Sequence, residues 1–196
     1  MPRAITLLTE NFADWETALF NSTARLYYGM YTQFATPGGL PVTSSGGMLV
    51  TPQLALEDIS LDELDLLMVC GGSIWQSGKA PDPGALLRAA REQGVVLAGI
   101  CDGTRVLAQA GVLDKVRHTS NGAANLRETG YAGAALYQDV PWAVADDGII
   151  TAPGTAPVSF TREVLRSLGI HDDNLAAYLA LHGAEHGQAH RAHLAA

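Results

Sequence analysis

Short segments with no polar face alternate along this 196-residue chain with segments of helical periodicity, and that alternation leaves few folds open. Ala4–Thr9 (AITLLT), residues 64–72 (LDLLMVCGG), 95–100 (VVLAGI) and 149–154 (IITAPG) are short and apolar and end in turn-type residues, as strands buried on both faces do. Between them lie helical patterns. Asp14 stands where an N-cap would, ahead of Trp15, Leu19, Thr23 and Leu26 at helical spacing, with Gly29 at the C-terminal end. Residues 82–94 (DPGALLRAAREQG) place Pro inside a helix start and Gly at its end, and a further helix is expected over 157–169. Tyr31–Ala35 is a further strand, and residues 37–52 are expected to form a turn-rich hairpin. Helices alternating with fully apolar strands imply a mostly parallel sheet covered on both sides, a three-layer α/β sandwich of flavodoxin-like type. One domain over residues 1–187 is expected, followed by a short tail, 188–196, that frays.

Charge narrows the function classes. The net charge is −8 and the pI about 5.1, which argues against nucleic acid or an anionic membrane surface as a partner. No apolar run approaches the ~20 residues that cross a bilayer, and the N-terminus is expected to be a first strand, not a signal peptide. Two cysteines make no disulfide framework, so the expected setting is the reducing cytoplasm.

One of those cysteines sits at a strand–helix junction. Gly99-Ile100-Cys101-Asp102-Gly103 follows the apolar strand and precedes a helix expected over Thr104–Ala110. This is the layout of a nucleophile elbow, in which glycines let the turn tighten and the helix N-terminus favours a thiolate. The plain alternative is a packed thiol followed by an Asp that caps the helix. Cys70, ahead of Gly71 and Gly72, ends another strand and is expected to be packed.

With GICDG at the elbow, the Cys70-Gly71-Gly72 strand end, ADWETALF after the first strand and TAPGTAPVSF downstream, the chain resembles the ThiJ/PfpI superfamily, related to class I glutamine amidotransferase domains. The resemblance covers roughly Arg3 to Glu185. It implies that Cys101 is the reactive thiol and Glu16 its acidic partner, the carboxyl raised and the thiol lowered in pKa. It also implies backbone oxyanion donors near Gly71, Gly72 and Asp102, and a homodimer. The implied activities are hydration or hydrolysis of a small electrophile, of glyoxalase, deglycase or isonitrile hydratase kind, with no cofactor. A redox-sensing stress protein whose Cys101 is oxidised is the alternative.

The chain departs from the family at several points. Asp102 follows the nucleophile where many members have His, so it is expected to cap the helix or to act as general acid/base without an imidazole. The absence of that His argues against proteolysis, and no downstream His-x-Glu pair exists for a glutaminase. His118, in KVRHTSN, is a candidate site residue whose strand register decides where it points, and Trp75 is a candidate wall of the cleft. His182, Glu185 and His186 spell HxxEH, and His190 extends the stripe. A zinc site needs a third protein ligand and a water in a concave site, whereas this stripe lies at a terminus expected to fray, so no metal is expected.

Overall fold

The computed structural model describes residues 1–184 and 187, and the tail expected to fray lies outside them. Along the chain come β1 (Arg3–Leu7), α1 (Asp14–Tyr28), β2 (Tyr31–Thr36), β3 (Val42–Thr43), β4 (Leu49–Val50), β5 (Leu54–Ala55) and β6 (Leu66–Val69). Then follow α2 (Gly84–Glu92), β7 (Val96–Ile100), α3 (Gly103–Gln109), α4 (Ala123–Arg127), β8 (Val144–Asp146), β9 (Ile149–Ala152), α5 (Pro157–Ser167) and α6 (Asp173–Ala184). Seven strands form the main sheet in the order β5-β2-β1-β6-β7-β9-β8, all parallel except β8.

Strand side chains alternate between the two faces, and that alternation builds two cores. Ile5, Leu67, Val69 and Leu97 pack with Leu87 of α2 and Val106 and Leu107 of α3. Ala4, Leu66, Met68, Ala98 and Ile100 pack on the other face with Phe20 of α1 and Phe160 and Val164 of α5. The three-layer sandwich is therefore the one the apolar strands imply.

Local differences have identifiable causes. Asp14 does not cap α1: Ala13 holds the cap position, and Asp14 instead accepts bonds from the Ser45 hydroxyl (3.1 Å) and the Gly46 amide (2.8 Å). It thereby ties the turn of the small β3–β4 hairpin to the helix start. Gly29 does end α1, in the left-handed conformation at φ 62°. Short β8 is an edge strand that pairs antiparallel with β9, and its three half-buried residues leave little apolar pattern to read.

Candidate active site around Cys101

At the carboxyl end of β7 the chain turns directly into α3, and Cys101 occupies the turn with φ 56°. A non-glycine residue in the left-handed region is strained, by roughly 1–3 kcal/mol, and survives only where its surroundings fix it. Three bonds do so here. The Cys101 amide donates to Ala152 O at 2.9 Å, and its carbonyl accepts from the Thr104 amide (3.1 Å) and hydroxyl (2.6 Å). Gly103 is required by close approach, because a Cβ there would lie 3.0 Å from the Val69 carbonyl carbon on the adjacent strand β6.

Glu16 comes from the first turn of α1 and is fully buried. Its Oε2 accepts the Gly71 amide at 2.7 Å and lies 3.8 Å from the Cys70 sulfur, while the buried Oε1 has no hydrogen-bond partner among the described residues. Burial raises the Glu16 carboxyl from its ordinary 4.5 to about 7, and the nearby Asp102 charge adds to that. The same burial pushes the Cys101 thiol up instead of down, reinforced by the Glu16 charge and opposed by Asn121. The expected lowering of the thiol is thus corrected. Burial first, and then the two carboxyls beside the sulfur, outweigh what the elbow and one carboxamide supply.

The carboxamide of Asn121 completes the constellation. Its Nδ2 donates to Cys101 Sγ at 3.1 Å and its Oδ1 accepts the Gly154 amide at 2.9 Å. The loop that carries it is fastened on both sides. The Thr119 amide bonds the Thr151 hydroxyl of β9 at 2.8 Å, and Ser120 Oγ lies 2.7 Å from the Thr104 hydroxyl of α3. The Gly154 carbonyl in turn accepts the Trp15 indole N–H at 2.9 Å. A Cβ on Gly154 would fall 2.9 Å from Cys101 Sγ and 3.0 Å from Glu16 Oε1; one on Gly71 would fall 2.6 Å from Cys101 Cβ. Both glycines are places where backbone lies directly against Cys101 and Glu16.

Other candidates take different positions. Asp102 occupies the helix cap position but makes no cap bond; its Oδ2 accepts the Gln76 amide at 2.8 Å and its buried Oδ1 has no partner among the described residues. The Gly71 amide is committed to Glu16, so it is no oxyanion donor. The Gly72 and Asp102 amides make no hydrogen bond among the described residues.

Trp75 does not wall a cleft. It is buried in the core, with its indole N–H on the Cys70 carbonyl at 2.8 Å. His118 is also outside the site: it is fully buried, with Nδ1 2.8 Å from the Val116 carbonyl and Nε2 3.2 Å from the Tyr131 hydroxyl, and burial holds its pKa down.

Cys70 is packed with Leu8, Phe12 and Val42, as its position suggests. Trp15 and Trp142 are half-exposed. Among the described residues no three metal-ligating side chains converge. Glu185, His186 and His190 lie outside the described residues, and no described helix is long and apolar enough to cross a membrane.

Sequence reasoning missed Asn121, Gly154 and Gln76, and it did not give Trp15 its place at the site. The only cue for Asn121 is its position three residues beyond the noticed His118, in a loop that returns to the strand ends.

The model of the DJ-1/PfpI family matches residues 2–167. A protein of Bacillus subtilis (strain 168) named uncharacterized protease YoaZ is 33% identical over 131 residues, 66% of this chain and 62% of its own length. The match therefore spans less than two thirds of that relative. Among solved structures, the DJ-1 superfamily protein Atu0886 from Agrobacterium tumefaciens is 42% identical with a TM-score of 0.93, covering 95% of this chain and 100% of that one. The thiJ/pfpI family protein from Bacillus anthracis is 28% identical with a TM-score of 0.83, covering 92% and 89%.

Proposed function

The chain belongs to the DJ-1/PfpI family, and from that premise we propose that it is an enzyme whose Cys101 adds to a small electrophilic carbon. The observation that carries the reading is the pairing of a strained elbow cysteine with a buried carboxyl, Glu16, poised near pH 7. A general base works best when its pKa lies near the working pH.

As sulfur adds to the carbon of a glyoxal-type carbonyl, the thiol proton passes to the Glu16 carboxylate and the carbonyl π pair moves to oxygen. The Asp102 amide, next after the nucleophile, is the natural donor to that oxyanion. Glu16 then returns the proton to oxygen, giving a hemithioacetal. With an isonitrile the returned proton goes to carbon instead, giving a thioimidate. Water attacks the thioimidate carbon, and loss of the Cys101 thiol leaves a formamide. Asn121 stabilises negative charge on sulfur in both cases.

Peptide cleavage, which the relative's name suggests, is disfavoured for this chain, since His118 is spent on Val116 and Tyr131 and among the described residues no other imidazole bonds the elbow. The test is turnover of a dicarbonyl, isonitrile and amide panel by the protein and its Cys101→Ser variant. Turnover of a dicarbonyl or isonitrile that disappears with the thiol is expected. No turnover of any member overturns the reading. In that case, gain of oxygen at Cys101 under mild peroxide, read by intact mass, would favour the redox-sensing alternative.

A further inference from the structure

Asp102 is an unusual neighbour for a nucleophile. Its carboxylate is free of capping duty and almost wholly buried. The neutral amide of Gln76 holds it in place without cancelling its charge. Both Cys101 and Glu16 feel that charge. Among the described residues no Lys, Arg or His is hydrogen-bonded to Cys101, Glu16 or Asp102. At the rim, the indole of Trp15 is half-exposed and pinned by the Gly154 carbonyl, a ring whose π face attracts cations. Among the described residues the sulfur therefore has two carboxyls beside it and no cation hydrogen-bonded to them or to it.

We infer that Asp102 is a specificity-determining residue that makes the Cys101 site accept neutral and cationic electrophiles and turn away anionic ones. This rests on the reading of Cys101 as a nucleophile and adds the substrate's charge class to it. Charge near a low-dielectric wall acts more strongly than in bulk water, and salt weakens it at exposed approaches. The substrate class is thus a carbonyl or isonitrile compound with no carboxylate or phosphate near its reacting carbon, and an amine-bearing one is favoured.

The test uses three methanethiosulfonates, a trimethylammonium-ethyl, a methyl and a sulfonatoethyl reagent, on the full chain carrying Cys70→Ser. The rate of Cys101 labelling by each is divided by its rate with N-acetylcysteine. The expected normalised cation-to-anion ratio is about tenfold or more, from one unit charge at short range. Asp102→Asn should bring it severalfold closer to one, and 0.5 M salt should compress it in the parent protein even if that variant fails to fold. A normalised ratio near one, one unchanged in a folded Asp102→Asn variant, or one that salt leaves unchanged overturns the inference and leaves Cys101 a nucleophile. Failure of all three reagents to label Cys101 overturns the nucleophile reading as well.

Discussion

The side-chain amide of Asn121 donates to the sulfur of Cys101 at 3.1 Å, joining two residues twenty positions apart. A hydrogen bond to a charged group contributes about 1.5–3 kcal/mol. Asn121→Ala should therefore slow Cys101 alkylation and kcat/KM about tenfold or more, with the melting temperature little changed. Equal rates in the variant and the parent would show that the carboxamide serves only the loop.

The pH dependence should follow Glu16. Its carboxylate is the form that can take the thiol proton, so kcat/KM should rise with pH through about 7. In Glu16→Gln that rise should vanish along with most of the activity. A pH–rate profile of both proteins on the same substrate reads this directly.

The same carboxyl has a stability signature. Its pKa is higher folded than its ordinary value of 4.5, so folding takes up a proton between 4.5 and about 7. That contribution is whole below 4.5 and is lost as pH rises through about 7. Glu16→Gln, which cannot ionise, should match the parent near pH 5 and exceed it by about 1–3 kcal/mol near pH 8.5. Denaturant melts at the two pH values check the crossover.

Space beside the reactive pair is also testable. Gly154→Ala would set a methyl 2.9 Å from the sulfur, and Gly71→Ala would crowd both Glu16 and Cys101. Each should cost about 1–3 kcal/mol of stability, as overpacking does, and lose activity out of proportion to that cost. Melting curves beside kcat values separate the two effects.

Trp75 should behave as a structural residue. Trp75→Phe keeps most of the buried ring but leaves the Cys70 carbonyl without its indole donor at 2.8 Å. A loss of about 1–3 kcal/mol is expected with KM unchanged. A raised KM at unchanged stability would restore Trp75 to the substrate cleft.

The elbow is legible in the chain because glycines around Cys101 mark the tight turn, whereas Glu16 is singled out only by the family resemblance, since an acid in a first helical turn is by itself an ordinary helix start. The parallel sheet is legible too, since strands such as Leu66–Val69 are apolar on both faces. Asn121 is not. It belongs to no periodic segment, and only the fastening of Thr119 to Thr151 and Ser120 to Thr104 brings it to the sulfur. His118, the more conspicuous residue nearby, is fully buried against Val116 and Tyr131. Asp14 and Asp102 both stand at helix starts, where capping is the local preference. In each case a partner from another segment, Gly46 or Gln76, takes the carboxylate instead.

The peptide group of Gly154 is gripped at both ends, by Asn121 on its N–H and by Trp15 on its carbonyl. Biosynthesis gives that grip a timing. A ribosome delivers Cys101 and Glu16 well before Gly154, so a growing chain carries the thiol without the frame that orients its acid and its donor. The site is complete only when the last third of the chain has emerged and Gly154 has docked between Asn121 and Trp15.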